Sequence, residues 1–173
     1  MSKAWLILGA LMLSACQTAN RPPITLAKQV DLPRFMGDWY VIANIPTFIE
    51  KGAHNAIESY RQDADGSIAT TFTFHADAFD GKLKRHTPRG FVVPDSGNAV
   101  WGMRFIWPFK ADYRIVYLNA DYTQTVIGRE QRDYVWIMAR TPTIPDADYQ
   151  QLLELLRREG YDTTQVQRVP QRW

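Results

Sequence analysis

The chain is predicted to be all-β: an eight-stranded antiparallel up-and-down barrel with one α-helix packed outside. Three observations carry this expectation. From Trp39 to Arg140 the sequence runs in short segments that alternate polar and apolar residues, the two-residue period of half-buried strands. Turn signals at Asp65-Gly66, Asp80-Gly81 and Pro94-Asp95-Ser96-Gly97 separate the segments so closely that neighbours should pair as hairpins. The chain also holds eight Phe, six Trp and eight Tyr, side chains large enough to fill a small barrel or to line a cavity inside one.

The N-terminus is read separately from the barrel. Lys3 precedes an apolar run, Ala4 to Met12, and Leu13-Ser14-Ala15-Cys16 follows. A charged start, a short apolar core and small residues before a cleavage point mark residues 1–15 as a secretory signal peptide. The run is too short for a bilayer span of ~20 residues. Leu13-Ser14-Ala15-Cys16 resembles the lipobox of bacterial lipoproteins. That resemblance implies that Cys16 is lipidated with acyl chains such as palmitate and becomes the mature N-terminus. A plain signal peptide with an incidental cysteine is the other reading. Gln17, rather than Asp, after the cysteine resembles the outer-membrane sorting pattern of enteric bacteria. Residues 16–30, with Pro22-Pro23, are expected to form a lipidated polar tether reaching at most roughly 50 Å.

The remaining residues, 31–173, suffice for one domain with a real core. Formal net charge is +2, and no clustered Lys/Arg surface of the kind that binds nucleic acid stands out. Cys16 is the single cysteine, so the exported domain must be stable without disulfides.

Strands are expected near 39–45, 55–62, 67–76, 82–93, 98–106, 112–118, 122–129 and 133–140. Some are apolar on both faces, as in Tyr113-Arg114-Ile115-Val116-Tyr117-Leu118, so part of the outer surface must be covered. The cover is expected at about 144–159. There Tyr149, Leu152, Leu153 and Leu156 form one stripe, and Gly160 can end the helix. Thr143 and Asp146 have capping-box spacing, and Pro145 suits a first turn. The same stripe could lie on a membrane, but the mixed charges of its polar face favour packing on the barrel. Residues Thr163 to Val169 could add a short edge strand.

Three local patterns now resemble one family. Phe35-Met36-Gly37-Asp38-Trp39-Tyr40 is similar to the first lipocalin motif, centred on Gly-x-Trp. Asn119-Ala120-Asp121-Tyr122 is similar to the second, with Ala120 where the family usually has Thr. Arg140, ending the eighth strand, matches the Arg of the third. The resemblance covers roughly residues 30–160 and, with the lipobox, points to bacterial outer-membrane lipocalins related to apolipoprotein D. It implies that Gly37, Trp39, Asp121, Tyr122 and Arg140 are structural. Trp39 would plug the barrel base, with Arg140 laid on its indole face.

With Trp39 inward, strand parity places Val41 and Ala43 inward as well. Parity and the family pattern together give an inward set that includes Ile68, Thr70 and Ile115. Its expected ligand-binding members are Glu58, Tyr60, Phe72, Phe74, Trp101, Met103, Phe105, Tyr113, Tyr117, Tyr134, Trp136 and Met138. Such a lining suits an acyl chain, and its hydroxyls could hold a polar end. Side chains that simply fill the barrel are the plainer reading. Glu58 is anomalous, because a carboxylate on an apolar wall is costly unless paired or neutral. Either the register is shifted by one, or Glu58 meets an Arg or Lys near the rim, or it receives a cationic headgroup such as choline. Loops at the open end carry Phe48, Ile49, Phe79, Trp107 and Phe109, together with Lys51, Lys82, Lys110, Arg129 and Arg132. That mixture suits anionic headgroups or an acid-ended ligand.

Neither a catalytic constellation nor a cofactor motif stands out. His54, His75 and His86 are scattered, although His75 and His86 flank one hairpin and could face each other. The expected function is to bind, store or transport a fatty acid or lysophospholipid at the bacterial cell envelope, on the outer membrane facing the periplasm. The alternatives are a lipid-modifying envelope enzyme and a structural lipoprotein with a filled barrel. A homodimer is compatible with the sequence.

Overall fold

A computed structural model describes residues 21–173, so the expected signal peptide and Cys16 lie outside the described residues. A single helical turn, α1 (Leu32–Phe35), leads into β1 (Gly37–Ile45), β2 (Ala53–Gln62) and β3 (Ile68–Ala76). Then come β4 (Leu83–His86), β5 (Arg89–Val92), β6 (Val100–Ile106), β7 (Phe109–Leu118), β8 (Gln124–Gly128) and β9 (Val135–Ala139). Helix α2 (Asp146–Arg158), a 3-10 turn (Thr163–Gln165) and β10 (Gln167–Arg168) complete the chain. Neighbouring strands pair antiparallel, and β1 pairs back onto β9, closing the sheet into a barrel.

β4 and β5 both lie along β3, opposite Phe72–His75 and Ile68–Ala69 respectively. They are the single expected strand 82–93, interrupted at Thr87-Pro88 because Pro88 has no N–H to give to the ladder. Counted as one wall, they make the barrel eight-stranded. Strand direction defines two ends. The loops 46–52, 77–82, 107–108 and 129–134 form the mouth, and α1 with the opposite loops forms the base.

Two apolar layers result from the alternation. Val41, Tyr60, Ile68, Phe72, Phe74, Trp101, Met103, Ile115 and Met138 pack inside. Ile42, Ala43, Val116, Val126, Val135 and Ile137 pack outside, under Tyr149, Leu152 and Leu156 of α2. The helix therefore covers the strands that are apolar on both faces, as expected. Its start differs: Pro145 is the N-cap and provides no side-chain hydrogen bond. Asp146 instead accepts from Arg168 at 2.7 Å.

Two bulges reverse expected orientations. The β1–β9 register shifts between Val41 and Ala43, which sends Ala43 outward. The β7–β8 register shifts between Ile115 and Tyr117, which brings Tyr117 opposite outward-facing Val126. One extra residue in one strand inverts the parity of everything beyond it.

The expected free tether to residue 30 also gives way to attachment. Val30 is fully buried and its N–H donates to the Gly97 carbonyl at the base. Ala27 N–H donates to Ile115 O, Ile24 packs against the outer cluster, and Pro22 O accepts from Arg132 Nη2 at 2.7 Å. Apolar Ile24, Leu26 and Val30 recur within the segment; the barrel buries Ile24 and Val30 and partly covers Leu26. Traced backwards, residues 30 to 22 climb from base to mouth. At the other terminus β10 pairs with Ala43 and Asn44 of β1. Gln171 donates to both Val41 O and Ala56 O, filling the gap where β1 and β2 part.

Candidate functional site

The base is sealed by the motif residues. Trp39 is fully buried and its indole N–H donates to Phe35 O at 2.9 Å. The Arg140 guanidinium lies 3.8 Å from the Trp39 ring centroid and donates to the carbonyls of Arg34, Phe35, Met36, Asp38 and Tyr122. This planar fan satisfies the end of α1, which has no further turn to do so. Gly37 has φ +94°, and a Cβ there would sit 3.4 Å from Arg140 Nη1, so the chain bends under the guanidinium only with glycine or with strain. Tyr122 Oη accepts from Asp31 N–H at 2.9 Å, and Arg34 stacks 4.0 Å over its ring. Asp121 is exposed in the β7–β8 turn.

Above the plug lies an aromatic floor. Phe35, Tyr60 and Trp101 meet at 5.5–5.6 Å between centroids, and Trp101 stacks on Tyr113 at 5.0 Å. The Tyr60 and Tyr113 hydroxyls share a hydrogen bond of 2.6 Å. Over this floor opens a cavity of about 610 Å³, within the ~300–1,000 Å³ range of small-molecule sites. Of the expected ligand-binding residues, Glu58, Phe72, Met103, Phe105, Tyr113 and Trp136 line it. Tyr60, Phe74, Trp101 and Met138 pack inside the barrel as its floor and walls without facing the open volume.

Tyr117 and Tyr134 are not in the interior. The β7 bulge turns Tyr117 towards α2, where it borders a shallow groove with Asp148 and Leu152. Tyr134 precedes β9, packs on the outer cluster and carries Arg129 at 5.3 Å from its ring. Arg132 is also removed from any ligand. It is buried, bonding to Pro22 O, Glu130 and Glu159 O. His75 and His86 do not meet: His75 pairs with Leu83, while His86 stacks on Phe72 and Phe74 at the cavity wall. Among the described residues no cluster of His, Cys, Asp and Glu could hold a metal ion.

Glu58 does face the cavity, as parity predicts, and no cation pairs with it among the described residues. Burial pushes its carboxyl up to about 8, the nearby Tyr60 hydroxyl pulls the other way, and the charge of Glu50 adds to the rise. Burial likewise raises both Tyr60 and Tyr113, so their hydroxyls stay protonated. Sequence reasoning missed Glu50. Its loop folds back so that one carboxylate oxygen accepts from Thr47 N–H, Asn44 Nδ2 and Trp136 Nε1 at 3.0–3.3 Å. Burial still raises its pKa against those bonds. No periodicity operates in a loop, so nothing local marked Glu50. Ala111 shares parity with Tyr113 but precedes the expected strand 112–118, because β7 begins earlier, at Phe109. Arg85, His86, Asp112 and Arg129 complete a polar rim.

A closed antiparallel calyx, plugged at one end and hollow at the other, defines a carrier-type barrel for an apolar guest. Residues 30–171 match the lipocalin-like domain, and the chain belongs to that family, whose members bind hydrophobic ligands. It is 28% identical to outer membrane lipoprotein Blc of Citrobacter freundii over 162 residues, covering 92% of this chain and 90% of that protein. It is 30% identical to temperature-induced lipocalin-1 of Arabidopsis thaliana, covering 88% and 85%. The barrel also superposes on insecticyanin of the tobacco hornworm Manduca sexta with a TM-score of 0.66 at 14% identity, covering 86% and 84%.

Proposed function

We propose that the chain binds a single-chain lipid, a fatty acid or lysophospholipid, and carries or stores it at the bacterial envelope, anchored in the outer membrane through lipidated Cys16. The observation that carries this reading is the cavity of about 610 Å³, walled by Phe72, Met103, Phe105 and Trp136 and holding at its depth the Glu58 carboxyl, which no cation pairs. Its open volume supports a carrier over a filled structural barrel. Burying an acyl chain would supply the affinity, at ~0.8 kcal/mol per CH₂. The similarity to proteins named outer membrane lipoprotein supports the location. Native mass spectrometry of protein purified without added lipid tests the reading. A co-purifying single-chain lipid is expected. A barrel that neither retains nor accepts one would overturn it, and conversion of added phospholipid would replace it with the enzyme.

Glu58 decides the headgroup. Ionised, it would receive an ammonium such as choline; neutral, it can donate to an acid. Affinity for lysophosphatidylcholine should therefore rise from pH 6 to 9, as the carboxyl passes about 8, while affinity for a fatty acid held by that donor should fall. If Glu58→Gln leaves the ratio of the two affinities unchanged at every pH, Glu58 does not touch the headgroup.

A further inference from the structure

Large apolar side chains are exposed at one end of this barrel far more than at the other. Phe48, Leu83, Phe105, Ile106, Trp107 and Phe109 are each 55–83% exposed, and all lie around the mouth. Val93 at the base and Trp173 beside Tyr40 are the other strongly exposed large apolar residues among those described. Four of the mouth residues crown the β6–β7 hairpin. Within β7, Phe109 to Tyr113 precede Arg114, the first residue paired to β8, so this hairpin stands proud of the rim. Large exposed apolar side chains concentrated at one end mark an interaction site.

Charge and chain path identify what the surface meets. The rim acids Asp112, Glu130 and Asp133 are engaged by Arg114, Arg132 and Arg129. Lys51, Lys82, Lys84, Arg85 and Lys110 form no ion pair among the described residues, and they outnumber the free rim acids Asp77 and Asp80. Aromatic residues interleaved with unpaired cations suit an anionic lipid surface. The chain also leaves the barrel at this end, because Pro22 is held by Arg132 in the β8–β9 loop. From Cys16 to Pro22 the backbone reaches at most roughly 20 Å. β1, with nine residues, rises roughly 30 Å, or about 20–25 Å along the barrel axis after its tilt. An anchored barrel turned base-down would use the whole leash to pass its own length.

We propose that the barrel docks mouth-down on the bilayer that holds Cys16, with the β6–β7 hairpin tip and Phe48 seated among the lipid headgroups. Ligand then passes between bilayer and cavity without crossing bulk water. The orientation rests on the anchored reading above. To separate the two, the protein is purified with whatever acyl chains it carries and its mass is measured. It is then reconstituted in phosphatidylethanolamine–phosphatidylglycerol vesicles with ordinary or brominated acyl chains. Tryptophan emission should drop in the brominated vesicles, and Trp107→Phe, at a site already exposed to solvent, should abolish most of that loss. Acylated, membrane-bound protein with equal emission in both vesicles would overturn the docking and leave the anchor standing. Unquenched protein of twice the monomer mass would assign the apolar mouth to a second copy instead. A mass without acyl chains would remove the anchor, and with it the orientation.

Discussion

The two ends of the barrel are built by opposite rules. At the base, Trp39 is fully buried and one guanidinium serves five backbone carbonyls. At the mouth, Trp107 is 78% exposed, and the cavity that opens there holds Glu58 deep inside, beside Tyr60, with no cation against it. Satisfied polar groups and close packing at one end provide stability that the other can forgo. Hollow space and an unpaired carboxyl destabilise a protein, and they persist here where a ligand can use them.

Substitutions at the two ends should therefore separate stability from binding. Trp39→Ala should cost about 3–5 kcal/mol in denaturant unfolding, while the folded fraction keeps its lipid affinity. A variant of unchanged stability that no longer binds would reverse the assignment of base and site.

Glu58 should produce the next largest effect, through pH. Its carboxyl stands at about 8 in the folded protein against an ordinary 4.5. The folded state therefore retains a proton that the unfolded chain releases. The corresponding stability is fully present below pH 4.5 and is lost as pH rises through about 8. Glu50, raised in the same direction, adds to the loss. Asp63, Asp65 and Asp162 are held below the usual carboxylate range by hydrogen bonds from Arg61, Ser67 and Thr164 first of all. They act oppositely, only as pH falls below the ordinary aspartate value. Urea unfolding should show lower stability at pH 8.5 than at pH 5, and Glu58→Gln should recover on the order of 2–4 kcal/mol at the higher pH. An identical slope in Glu58→Gln would mean that the carboxyl is hydrated and ordinary.

Tyr60→Phe is a finer probe of the floor between the two ends. It strands the Tyr113 hydroxyl now bonded at 2.6 Å and should cost about 1–2 kcal/mol in thermal unfolding. The smallest effect belongs to Tyr117→Phe and Tyr134→Phe, whose rings lie outside the barrel. Fluorescent lipid titration should give affinities within about twofold of the parent, whereas Trp136→Phe at the cavity wall should not.

Most of the architecture is legible in the chain because it is written locally. Period-2 alternation and turn dipeptides suffice for eight walls, the Tyr149, Leu152 and Leu156 stripe for a covering helix, and the resemblance of Gly37, Trp39 and Arg140 to lipocalin motifs implied the plugged base. The inward set is legible wherever a strand is regular, so Glu58, Phe72, Met103 and Trp136 were placed correctly. Parity fails at a bulge, which turns Ala43 and Tyr117 outward, and it fails outside a strand, as for Tyr134.

What the sequence determined by itself, then, was the barrel and the parity of its regular strands, since these follow from neighbours two residues apart; its sealed end was implied by the resemblance of Gly37, Trp39 and Arg140 to lipocalin motifs. Tertiary structure alone decided two things. It buried Glu50 under Asn44 and Trp136, and it ran residues 22–30 up the barrel wall. Each depends on contacts between residues distant in the chain, to which periodicity is blind. The attachment of residues 22–30 brings Pro22 to the mouth end of the barrel, where Arg132 holds it.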